Sequence, residues 1–166
     1  MNRVLRAPVA FIVLALAGGA AGAQAPLTPA ERAAVTAEVR QFMLRVASDI
    51  TQHGPTAWRA QFSPTPQFFM AVNGTLAFAD SAAASRGIAA LPGIIKSIEL
   101  KWGDDLRIDP LTAQFAVVAS SYYEMQTHPD GTRTADRGYF TAVAERGAAG
   151  WTLRDAHWSS LTPPGH

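Results

Sequence analysis

The sequence predicts an α+β fold, a curled antiparallel sheet with three N-terminal helices packed on its concave face. Three observations predict it. Early in the chain Val35, Val39, Phe42, Met43, Val46 and Ile50 recur at helical spacing, a single apolar stripe that covers something on one side only. From about Ile94 the period changes to two, with Ile98, Leu100 and Trp102 alternating with Ser97, Glu99 and Lys101, as in a strand with one buried face. Turn signals at Asp109-Pro110, His128-Pro129-Asp130-Gly131 and Gly147 to Gly150 then cut the remainder into long strands. Helices first and long strands last is an α+β order.

Residues 1–23 read as a signal peptide. Arg3 and Arg6 give a positive start, Val9 to Ala17 is an uncharged apolar run, and Ala21-Gly22-Ala23 is a small-residue cleavage pattern. The run is shorter than the roughly 20 residues that span a bilayer, so export rather than anchoring is expected. The mature chain, Gln24 to His166, then makes one domain in the periplasm or outside the cell, with no membrane attachment. It has no cysteine, which leaves packing alone to hold the core and removes thiolate chemistry. Removing Arg3 and Arg6 from the 14 basic residues leaves 12 against 13 acidic ones, no electrostatic footprint for nucleic acid.

Thr28-Pro29-Ala30-Glu31 starts the first helix, with a Thr cap, Pro in the first turn and Glu to close a capping box. Gly54-Pro55 ends it and restarts a shorter helix in which Trp58 and Phe62 stand one turn apart. Asn73-Gly74 between Gln67 to Val72 and Thr75 to Phe78 is a hairpin signal. Asp80 to Leu91 suits a third helix behind an Asp cap. Gly103 with Asp104 reads as a bulge before Leu106 and Ile108. Strands over Thr112 to Met125, Arg133 to Glu145 and Gly150 to Ser160 follow.

The last strand, GWTLRDAHWSS, carries the candidate chemistry. Strict alternation puts Trp151, Leu153, Asp155, His157 and Ser159 on one face, taken as the inner one because Arg154 must look out. Asp155 and His157, two residues apart, are then placed either to share acid and base roles or to cap a buried polar network at the mouth of a pocket. A hairpin with an odd-length loop would set Arg137 and Tyr139 at the same mouth, Arg137 to hold a ligand carboxylate or to neutralise Asp155. Leu153, Trp58 and Phe62 would form the deep end. Tyr122 and Glu124 share a face of their strand. On this assignment Trp158, Phe140 and Val118 point outward, too apolar for a wet surface, and a homodimer through the outer face is expected.

Metal binding is not indicated: His53, His128, His157 and His166 are scattered, and Asp155 with His157 supplies at most two ligands. Without HExxH, a phosphate-binding glycine loop or Gly-x-Ser-x-Gly, no cofactor is expected.

The element order, together with Trp58 to Phe62 leading into the Asn73-Gly74 hairpin, Gly87 in its helix, Gly138-Tyr139-Phe140 and Gly150-Trp151 through His157-Trp158-Ser159, resembles the nuclear transport factor 2-like superfamily, in particular its SnoaL-like branch. The resemblance covers nearly the whole mature chain and implies a cone-shaped fold that hosts isomerases, dehydratases, cyclases, epoxide hydrolases, ligand binders and assembly modules. Steroid-isomerase relatives place a carboxylate base just before the hairpin turn. Here Met70-Ala71-Val72-Asn73 holds no acid, and the first helix has no tyrosine. Function is then argued from the site. The expected function is an exported binding or accessory domain for a small hydrophobic or amphipathic molecule. The alternative is a cofactor-independent lyase, isomerase or hydrolase using Asp155 and His157.

Overall fold

The computed structural model describes residues 26–161, so the signal peptide expected over residues 1–23 lies outside the described residues. Helix α1 (Pro29–His53) begins with the expected capping box: Thr28 accepts from the Glu31 N–H, and the Glu31 carboxylate accepts from the Thr28 N–H. All six residues of its apolar stripe are buried. Polar ties run along its length to the sheet. The Arg32 guanidinium donates to the Pro110 carbonyl at 2.9 Å, Arg40 to that of Leu106 at 3.0 Å, and the Trp102 indole N–H to that of Met43 at 2.7 Å.

Gly54, at φ 78°, ends α1, and a 3₁₀ turn (Pro55–Ala57) leads into α2 (Trp58–Gln61). Strands β1 (Phe69–Val72) and β2 (Thr75–Phe78) form the hairpin. Its central residues Asn73 and Gly74 both take positive φ, 49° and 78°, as a two-residue hairpin turn of the mirror-image type demands. Helix α3 (Ser81–Ala90) is capped by Asp80, which accepts from the Ala83 N–H at 2.6 Å.

The remaining strands are β3 (Ser97–Trp102), β4 (Arg107–Pro110), β5 (Phe115–Thr127), β6 (Arg133–Gly147) and β7 (Gly150–Ser160). They form a curled, unclosed sheet in the order β2-β1-β7-β6-β5-β3, with β4 also on β5. Two expectations are corrected. The segment at Gly103 is a break between two strands, not a bulge within one; β3 and β4 pair with successive stretches of β5. The sheet is mixed rather than antiparallel, because β1 runs parallel to β7; the connection from β1 back to β7 passes through most of the domain, so hairpin geometry does not govern that pair.

Phe42 is 3% exposed at the centre of the α1 contact. Phe42→Asp puts an unpaired charge there and is expected to cost about 4 kcal/mol. Chemical denaturation reads the loss; an unchanged midpoint would mean that α1 is not held by this face.

Candidate functional site

Strand β7 decides which side chains face the interior of the cone. Ala144 pairs with Leu153 but Val143 with Asp155, so Arg154 is an extra residue opposite no partner. Such a bulge reverses the alternation beyond it. Leu153, Ala156 and Trp158 are therefore buried, whereas His157 and Ser159 are exposed. The inward assignment made for Asp155, His157 and Ser159 is corrected accordingly: unbroken alternation carried it past a position where the strand kinks. The β6 register differs from the expected one by two, one from the two-residue turn between Gly147 and Gly150 and one from this bulge. Tyr139 stands opposite Ser159 rather than His157, and Tyr139 and Arg137 face outward.

On the concave face lies a cavity of about 200 Å³. Trp58 and Phe62 line it as expected, stacked with ring centroids 5.5 Å apart. Trp158 forms its floor, with Trp58 edge-on at 5.6 Å and Tyr122 edge-on at 4.7 Å. Phe78 lines the wall toward α3, where Gly87 makes room for it: a Cβ there would come 2.3 Å from the Phe78 ring.

One end of this apolar cavity is polar. Glu124 on β5 and Asp136 on β6 are directly opposite each other in the ladder, where like charges repel. Asp136 Oδ2 accepts from the Tyr122 hydroxyl at 2.8 Å and from Ser160 Oγ at 2.9 Å, and Oδ1 accepts from the Arg137 N–H at 2.8 Å. The Asn73 side-chain oxygen accepts from the Ser160 N–H at 2.7 Å, docking the hairpin turn on the end of β7. Glu124 is 8% exposed and Gln126 Nε2 donates to its Oε1 at 2.5 Å.

Burial pushes the Glu124 carboxyl above the usual glutamate range, the Gln126 hydrogen bond opposes this, and the Asp136 charge adds to it. Burial likewise pushes the Tyr122 phenol upward, and its hydrogen bond to Asp136 reinforces the shift. Here a carboxyl held above its ordinary range stands beside a phenol that keeps its proton.

The other sequence-predicted residues lie elsewhere. Leu153 is fully buried in the core, bridged to Phe62 rather than lining free space. Asp155 is half-buried on the outer face, where its Oδ1 accepts from the Val143 N–H at 3.0 Å; burial raises its carboxyl, opposed by that N–H and by Arg154. His157 and Tyr139 are exposed on that face. Trp158, Phe140 and Val118 are core, not an outer patch, which removes the grounds on which a homodimer was expected; the exposed apolar residues of the outer face include Phe69, Val117, Tyr123 and Tyr139.

Asp136, Ser160 and Gln126 were missed. A signal for two of them was present: alternation joins Tyr122, Glu124 and Gln126 on one face, and a turn centred on Asp130 pairs Glu124 with Asp136. Ser160 depended on the bulge. No group of three or more potential metal ligands occurs among the described residues.

The fold recurs among solved structures. The chain is similar to a nuclear transport factor 2-like superfamily protein from Salmonella enterica serovar Typhimurium, at 16% identity and a TM-score of 0.66, over 80% of this chain and 95% of that one. It is similar to a putative scytalone dehydratase from Novosphingobium aromaticivorans, at 10% and 0.65, over 78% and 87%. A ketosteroid isomerase-like protein from Erwinia carotovora atroseptica matches at 14% and 0.60, over 77% and 97%. The fold is thus the nuclear transport factor 2-like cone, as the resemblance implied. No protein-family model matches the sequence, and no curated protein does.

Raising a buried carboxyl has a stability consequence. With its folded value above the ordinary 4.5, Glu124 binds more protons folded than unfolded between the two values, so stability present below pH 4.5 is lost as pH rises through the folded value. Glu124→Gln lacks this loss. Denaturation midpoints across pH should show the variant gaining on wild type from about pH 4.5 upward; parallel profiles would mean the carboxyl is not desolvated.

Proposed function

We propose that the chain is a cofactor-independent acid–base catalyst, a lyase or isomerase, acting on a compact and mostly apolar molecule seated in the conical cavity. One observation carries the reading: Glu124, a desolvated carboxyl facing Asp136, stands at the polar end of an otherwise aromatic pocket. A carboxyl raised toward the working pH both takes and returns a proton efficiently. Glu124 would take a proton from a carbon acid and return it to a neighbouring atom, as in an isomerase, or to a departing hydroxyl, as in a lyase. The Tyr122, Ser160 and Asp136 cluster, locked by its own hydrogen bonds, would orient the substrate's polar group at no cost in reorganisation. The names of the similar structures, a putative dehydratase and a ketosteroid isomerase-like protein, support this class. The acid absent before the hairpin turn is replaced in this reading by one on β5.

A second reading, a binding domain without chemistry, is favoured by Tyr122, whose hydroxyl is already committed to Asp136 and Ser160. Export to the periplasm or beyond is proposed from the leader sequence alone.

Incubating the mature protein in deuterated water with small cyclic ketones and aryl alcohols separates the two readings. Carbon-bound deuterium or alkene formation, followed by NMR, is expected with wild type, reduced about 100-fold or more in Glu124→Gln and retained in His157→Ala. Compounds that bind but neither exchange nor eliminate would favour the binding domain. Activity lost in His157→Ala but kept in Glu124→Gln would move the chemistry to the outer face.

A further inference from the structure

The cavity holds two carboxyl groups with no cationic partner. No Lys, Arg or His lines it, and neither Glu124 nor Asp136 belongs to any of the ion pairs among the described residues. Asp136 is satisfied only by neutral donors: a phenol, an alcohol and a backbone N–H. Glu124 receives a hydrogen bond on Oε1 alone. Every fully enclosed side-chain oxygen among the described residues has a partner, so its unpartnered Oε2 is open to the cavity it lines. The Gln126 amide spends its N–H on Glu124, leaving its oxygen as a further acceptor. Across the cavity from these acceptors stand the aromatic rings of Trp58 and Trp158.

We infer that the cavity selects a protonated amine on a compact carbon skeleton, its ammonium held between Asp136, Glu124 and the Gln126 oxygen and its apolar body against the two tryptophans. The inference rests on the reading of this cavity as the ligand site. No group of three or more potential metal ligands occurs among the described residues, whereas an ammonium needs only acceptors for its N–H bonds. Cross-strand partners lie about 5 Å apart between Cα atoms. A nitrogen held by Asp136 therefore leaves atoms within a few bonds of it in reach of Glu124, where the proposed proton transfer takes place. Carboxylate-bearing molecules are repelled.

Three probes of one shape and different charge test this. Benzylamine, benzyl alcohol and benzoate are titrated calorimetrically into the mature protein at neutral pH. Benzylamine is expected to bind at least about tenfold more tightly than the alcohol, a difference of about 1.4 kcal/mol, and benzoate more weakly than either. When the titration is repeated at about pH 5, where a carboxyl raised above 4.5 is partly protonated, amine binding should release protons, because the ammonium favours ionised Glu124, seen as a dependence of the heat on buffer. Asp136→Asn should collapse the preference to about twofold or less; should it fail to fold, Glu124→Gln, in which the proton release should vanish, carries the test. An alcohol that binds as tightly as the amine overturns the inference and leaves the cavity reading standing. Binding of none of the three overturns both. Proton release unchanged in Glu124→Gln overturns the placing of the ammonium.

Discussion

The site depends on one extra residue in β7. Where Arg154 interrupts the ladder, the Val143 N–H loses its regular partner, and a buried amide left unpaired costs about 1–3 kcal/mol. Asp155 supplies the replacement, accepting that N–H at 3.0 Å. Arg154 is held off the ladder by Glu145, at 3.1 and 3.2 Å to its two oxygens. Everything beyond the kink follows from it. The strand turns over, Trp158 goes inward to become the cavity floor, and Ser160 reaches the rim. With unbroken alternation an indole would lie on the surface and the polar cluster would lack a member. Asp155 thus acts on the site from outside, by fixing the backbone that aims Trp158 and Ser160.

A second constraint operates one strand over. Tyr122, Gly138 and Ser160 form a row across β5, β6 and β7. Any Cβ at Gly138 would meet the Ser159 carbonyl oxygen at 1.9 Å, so β6 and β7 approach more closely there than any other residue permits. The gap in the row lets the Tyr122 hydroxyl come within 3.2 Å of Ser160 Oγ over the glycine, with Asp136 accepting from both.

These features also explain what was legible in the sequence. Periodicity located α1 and all six of its buried residues, because an uninterrupted helix keeps its phase. Turn chemistry located the Asn73-Gly74 hairpin and the ends of β7, because those signals are local. The phase of β7 was not legible: Leu153 was assigned inward correctly, and one unpaired residue later each assignment was inverted. Neither was the parallel pairing of β1 with β7, which no adjacent turn specifies. Trp58 and Phe62 were found as a pair although Phe62 lies just past the end of α2 in extended backbone, because the two rings still stack. Glu124 was placed beside Tyr122 on its strand, yet its partner Asp136 lay across a turn whose register had not been drawn. The tyrosine absent from the first helix stands on a strand instead.

The cost of the polar end is the strongest reason to read function there. Carboxyls directly opposite each other repel, and burying one in an aromatic cavity adds a desolvation cost of a few kcal/mol. The fold offsets this for Asp136 with three donors, but gives Glu124 a single hydrogen bond from Gln126. A leucine at 124 would bring the same strand face to the same core without the conflict, as Leu100 does beside it on β3. A sequence that is locally consistent through α1, the hairpin and the core, yet buries a carboxyl with a single neutral donor at the polar end of the cavity, concentrates its conflict where chemistry would use it. Asp155 and His157, by contrast, sit where a bulge and open solvent already account for them.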